Sequence, residues 1–106
     1  MRIDQFNEVV EQQQQHCVAV LDRKGDEYAP GNDRLAHFKD SGLEQDISAK
    51  QALWGMFNKH LVSLKNMCKG GNHPVELWSE KITDSINYLL LLRALVEEDA
   101  DCENNT

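Results

Sequence analysis

The chain has 106 residues, 41% of them hydrophobic and 27% charged, which allows one domain with one modest core. Eighteen acids face 11 bases, a formal charge of -7, and five of those acids (Glu97, Glu98, Asp99, Asp101, Glu103) fall in the last ten residues. The preceding 96 residues hold 13 acids against 11 bases and are nearly neutral. With no basic body to release counterions, duplex nucleic acid is not an expected partner. The longest apolar run, Leu89–Leu92, is far short of a membrane span. The opening Met1-Arg2-Ile3-Asp4-Gln5 lacks the apolar stretch of a signal peptide, and three widely spaced cysteines suit a reducing compartment. A cytoplasmic location away from membranes is expected.

Gly25, Pro30 and Gly31 punctuate one region and Gly70, Gly71 and Pro74 another, and between them the apolar spacing is helical throughout. The first helix is predicted over residues 2–22, from Ile3, Phe6, Val10, Cys17 and Leu21 at steps of three and four. Residues 23–33 read as a loop, and a short helix follows over Arg34–Lys39, ending near Ser41-Gly42. The third helix opens at Ser48, with Gln51 at capping-box spacing, and closes at Lys69 before Gly70-Gly71. Its apolar arc is Leu53, Met56, Phe57, Leu61, Leu64 and Met67, with His60 inside it. The fourth helix is predicted from Pro74 to about Val96. Val75, Trp78, Ile82, Ile86, Leu89 and Val96 form one arc; Glu76, Glu80, Asp84 and Asn87 lie opposite, followed by Leu90, Leu91 and Ala94.

A helix apolar all round needs cover on both sides, so a homo-oligomer with this helix at its interface is expected, the alternative being a monomer whose first helix covers the second face. The fold is read as all-α: a helical bundle with a long antiparallel hairpin of the last two helices, in a domain over 1–96. Residues 97–106 read as an acidic, disordered tail.

Three groups of residues carry candidate chemistry. Glu76, Glu80 and Asp84, at i, i+4 and i+8, form a row of like charges that a divalent cation such as Mg²⁺ or nearby bases would relieve; a solvated face is the plain alternative. An antiparallel hairpin turning near residue 72 brings His60 level with Asp84, Leu64 with Glu80 and Phe57 with Asn87. A half-buried imidazole beside a carboxylate can act as a base, a phosphate donor or a charge partner, although a lone His on such an arc also serves as plain core. Lys59, about a quarter-turn away, is expected to be exposed and able to reach a phosphate. The segment from Arg23 to Arg34 offers Lys24 and Arg34 to phosphate, Tyr28 for stacking and Asn32 beside its two glycines, without matching a known phosphate-loop pattern. Cys17 and Cys68 fall on apolar stripes, as buried inert thiols do.

Lys24-Gly25-Asp26-Glu27-Tyr28, Asn32 to Arg34 and Phe38-Lys39 resemble the opening of the small phage-borne and bacterial all-α proteins of the nucleotide modification associated domain type. Gly55-Met56-Phe57-Asn58-Lys59-His60 resembles their second element, and Glu80-Lys81-Ile82-Thr83-Asp84-Ser85-Ile86-Asn87-Tyr88 their closing helix. That group is similar, more distantly, to the MazG-like nucleoside triphosphate pyrophosphohydrolases, multimeric bundles whose Glu and Asp side chains hold Mg²⁺ against a nucleotide. The resemblance implies a nucleotide-directed role in a bacterial or phage-infected cytoplasm. Asp84 stands where the final Asp of the hydrolase ExxD element is expected, but no EExxE precedes it.

Three functions follow. The first is Mg²⁺-dependent phosphohydrolysis, with Glu76, Glu80 and Asp84 on the metal, His60 and Lys59 at the chemistry, and Lys24, Tyr28, Asn32, Arg34 and Asn87 on the nucleotide. The second is non-catalytic binding of a nucleotide or cyclic nucleotide, which would counter a host defence. The third is a module that binds a host protein.

Overall fold

The computed structural model describes the backbone of residues 1–28 and 30–104 and the side chains of 1–25 and 31–103. Among these residues the chain is a bundle of four α-helices without strands: α1 (Ile3–Tyr28), α2 (Ala36–Gln45), α3 (Ala49–Lys69) and α4 (Val75–Asn104), with a single 3-10 turn at Pro30–Asn32. No helix among the described residues is long and apolar enough to cross a membrane.

The sharpest boundaries are those with local chemistry behind them. At the start of α3 the Ser48 hydroxyl accepts from the Gln51 N–H, and the Ser48 N–H donates to the Gln51 side chain, so two otherwise orphaned donors are satisfied reciprocally. The helix ends at Gly70, whose φ of 147° lies in a region that side chains disfavour. Between α2 and α3 the chain doubles back tightly: the Ile47 N–H donates to the Gly42 carbonyl, and Asp46 adopts a left-handed conformation. A Cβ on Gly42 would sit 2.8 Å from the Ile47 carbonyl oxygen, so glycine lets α2 continue to Gln45, beyond the stop predicted at Ser41-Gly42.

The core lies where α2, α3 and α4 meet. Leu35, Phe38, Leu53, Phe57 and Leu95 are buried together, with Met56, Leu61, Tyr88, Leu91 and Leu92 packed around them. Leu53 is fully buried, a transfer that stabilises by about 1.5–3 kcal/mol. The arc of α3 thus faces inward as its spacing predicts, and Cys17 of α1 is buried as well. Cys68 departs from that expectation and is exposed.

Two further predicted boundaries move. The segment expected as a loop from residue 23 is helical to Tyr28, because a single glycine costs a helix only about 1 kcal/mol and Gly25 makes room for Arg34. The helix predicted to end near Val96 continues to Asn104, so the tail is helical over most of its length. Acids in the last turn, Asp101 and Glu103, oppose the macrodipole by about 0.3–1 kcal/mol each. Bases of neighbouring helices hold two of the acids before them. Lys39 bridges Glu98 and Asp33 at 2.8 Å each, and Lys50 meets Asp99 at 3.0 Å. Asp33, held below the usual carboxylate range by the Lys39 ammonium and then by the Leu35 N–H, also fixes the entry to α2.

The orientation of α4 reverses part of the predicted pattern. Thr83, Asn87 and Leu95 face inward, whereas Val75, Ile82, Leu89 and Val96 of the expected apolar arc are exposed. The small polar residues are buried because α1 crosses α4 there and satisfies them. Gln13 donates to the Thr83 hydroxyl at 2.8 Å, and Asn87 donates to the Cys17 carbonyl at 3.2 Å.

Since each surface ion pair contributes only about 0–1 kcal/mol, the end of α4 depends on both lysines. Replacing Lys39 and Lys50 by Gln is expected to remove amide-exchange protection beyond Glu97 while leaving that around Leu53 unchanged. Equal loss at both places would contradict this assignment.

Candidate functional site

A cavity of about 270 Å³ opens where α1, α2, α3 and α4 converge. Its floor is apolar, formed by Leu21, Phe38 and Leu91. Its polar wall brings together residues far apart in sequence: Lys24 from α1, Arg34 and His37 at α2, His60 from α3, and Asp84, Asn87 and Tyr88 along one face of α4.

Each side chain is placed by a local feature. Asp84 and Asn87 lie one turn apart on α4, and Tyr88 follows one turn after Asp84. The Tyr88 ring stacks on Phe57 at 5.6 Å between centroids and meets the His60 ring at 5.1 Å, which fixes His60 against the cavity. Burial pushes the Tyr88 phenol above its ordinary value, and the negative charge of Asp84 adds to the shift. Lys24 donates to Asp84 Oδ1 at 3.2 Å, so one acid of the α4 row is answered by a base of its own chain. Arg34 reaches the cavity past Gly25, where a Cβ would stand 3.3 Å from Arg34 Nε. No carboxylate among the described residues forms an ion pair with Arg34.

Two atoms in this wall lack partners. Among the described residues, His60 Nδ1 and Asn87 Oδ1 are the buried side-chain polar atoms without a hydrogen bond. The orientation of the Asn87 amide is settled by its neighbour. The Cys17 carbonyl can only accept, so Nδ2 must face it, and Oδ1 is left buried without a partner. An unsatisfied buried acceptor costs about 1–3 kcal/mol. Asn87 is 5% exposed and lines the cavity, so this cost falls beside it.

The cavity therefore gathers Lys24, Arg34, His60, Asp84 and Asn87 of the predicted site residues. It does not gather the others. Lys59 is exposed outside it, and Asn32 is exposed in a left-handed turn. The Tyr28 side chain lies outside the described residues. Glu76 and Glu80 are exposed and line a second, more open groove with His16, Arg23 and Thr83, and Lys24 and Asp84 line both that groove and the cavity. The three acids thus share the groove, with Asp84 paired to Lys24. Among the described residues, no group of three or more His, Cys, Asp or Glu is arranged to hold a metal ion. The donor set fits Mg²⁺ poorly, since Asp84 already faces an ammonium.

His37 and Tyr88 complete the wall without having been singled out by sequence. Tyr88 carried a readable signal, since Asp84, Tyr88 and Leu91 share a helix face at i, i+4 and i+7. Comparison with protein-family models, curated proteins and solved structures returns no match for the chain.

In a Tyr28→Phe background Tyr88 is the sole tyrosine, and spectrophotometric titration is expected to place its phenol above pH 10, with Asp84→Asn drawing it back down. Because the folded value is raised, stability is undiminished below pH 10 and falls as pH rises through the folded value. An ordinary tyrosine titration would contradict the burial and the charge assigned to this wall.

Proposed function

We propose that the cavity binds a nucleotide or a nucleotide-derived small molecule without hydrolysing it. The observation that carries this reading is the pairing of unlike demands in one cavity. Arg34 offers a cation without a carboxylate partner among the described residues, while the Asn87 carbonyl, deep in the wall, asks for a donor. A ligand with an anionic end and an N–H or O–H end meets both. The planar guanidinium of Arg34 suits two phosphate oxygens at once, with Lys24 as a second charge. At the other end Asn87 Oδ1 accepts from an exocyclic amine or a hydroxyl, and Asp84 supplies a second acceptor one turn away. The rings of His60 and Tyr88, tilted against each other at 51°, lie beside these acceptors. At about 270 Å³ the cavity lies near the lower end of small-molecule sites, about 300–1,000 Å³, which favours one small ligand.

Sequestration is favoured over Mg²⁺-dependent hydrolysis because Asp84, the one acid of the row that lines the cavity, already pairs with Lys24. The resemblance of the Lys24, Gly55 and Glu80 blocks to the nucleotide modification associated domain proteins supports a nucleotide over other phosphorylated ligands. It also favours a bacterial or phage-infected cytoplasm as the setting. The packing of Phe57 and His60 on Tyr88 across the turn at 70–74 supports an antiparallel α3–α4 hairpin. The apolar residues left outside on α4 support a homo-oligomer.

A panel of nucleoside mono-, di- and triphosphates and cyclic nucleotides, with and without Mg²⁺, tests the reading by melting shift and by release of phosphate or pyrophosphate. A ligand at a hundredfold excess over its Kd stabilises by about 2.7 kcal/mol, on the order of 10 °C in Tm for a domain of this size. At least one member is expected to raise Tm independently of Mg²⁺ and without product, and Arg34→Gln should remove most of the shift. A flat panel would overturn nucleotide binding, and Mg²⁺-dependent product would restore the hydrolase.

A further inference from the structure

We infer that the N-terminal part of α1 is an arm that docks on the outer face of α4 in a second copy of this chain. The inference rests on the reading that the chain self-associates and adds which surfaces do so. Along α1 one stripe runs Ile3, Phe6, Val10, Gln13, Cys17 and Val20, in alternating steps of three and four. Its second half is used within the chain, where Cys17 and Val20 are buried and Gln13 bonds to Thr83. Its first half is not. Every residue from 1 to 12 is exposed, Ile3 at 80% and Phe6 at 57%. A free helix of this length is marginal in water, since isolated helices need roughly 12–15 residues even with favourable sequences.

The size of the molecule shows how much surface wants covering. Its accessible area is 7781 Å², whereas a compact monomer of this mass exposes about 6,000 Å². Its radius of gyration is 16.2 Å against about 13 Å for a compact chain of this length. The excess, about 1,800 Å², is well above the roughly 800 Å² per partner that a stable interface buries. It comes with a counterpart on the same chain, because Ile82, Leu89, Leu90 and Val96 leave an apolar surface on α4 without cover. Two faces of similar character on one chain, neither covered by the other, are both closed when two copies exchange arms about a two-fold axis. A second copy therefore accounts for both faces at once, where an unrelated partner would account for only one.

Sedimentation equilibrium on the full chain tests this with Phe6→Glu/Val10→Glu, Leu89→Glu and, as a control, Leu43→Glu, whose 81% exposed side chain lies on neither face. The expected result is a two-chain mass for the native protein and the control. Both face variants should fall to the single-chain 12.1 kDa with most helical ellipticity retained. Should the charged arm variant lose its fold, Phe6→Gln/Val10→Gln keeps helix propensity and carries the same test. A single-chain mass for the native protein overturns self-association and the arm with it. A native dimer that persists in the arm variants overturns the arm alone and leaves self-association standing.

Discussion

The amide of Asn87 is where α1, α4 and the cavity meet. Its Nδ2 is committed to the Cys17 carbonyl, which joins the two helices where they cross. That bond leaves Oδ1 buried without a partner among the described residues. The same contact thus joins two helices and leaves an acceptor unsatisfied in a residue that lines the cavity. A leucine of similar shape would remove that orphaned acceptor, so the asparagine is poorly explained by packing alone. Around it the electrostatics are graded. Asp84 is answered by Lys24, the Tyr88 phenol is held neutral by burial, and Arg34 meets the cavity without a paired carboxylate among the described residues.

Much of the helix architecture was legible because its signals are local. The Ser48–Gln51 box and the Gly70-Gly71 stop depend on a few neighbouring residues, and α3 begins and ends where they say. His60 and Asp84, which the expected hairpin sets level, line one cavity. What periodicity could not supply was direction. It groups Ile82, Leu89 and Val96 on one face of α4 and Asp84 and Asn87 on another, but not which face turns inward. Gln13 and the Cys17 carbonyl settle that, through bonds spanning 70 residues of sequence. The stop after residue 22 failed for a related reason, since the space beside Gly25 is occupied by Arg34, a tertiary neighbour. Likewise the acidic tail is helical because Lys39 and Lys50, on other helices, offset its unfavourable dipole.

The candidate site was legible as a set of residues and only partly as a place. Lys24, Arg34, His60, Asp84 and Asn87 converge, whereas Glu76 and Glu80 open on another groove. Asp84 lines that groove as well, so the row stays together, and α1 brings Lys24 against its last member as an ammonium partner. That pairing is what moves the proposed function from metal-assisted hydrolysis toward capture of an anionic ligand.

Asn87→Leu tests the account at its centre, through thermal melts with and without the nucleotide that shifts the native protein most. If the asparagine is kept for a ligand, the nucleotide response is lost while the free variant stays close to the native melting temperature, because removing the orphaned acceptor offsets the lost bond to the Cys17 carbonyl. A variant that melts well below the native protein yet responds fully to the nucleotide would show that Asn87 serves the helix crossing alone.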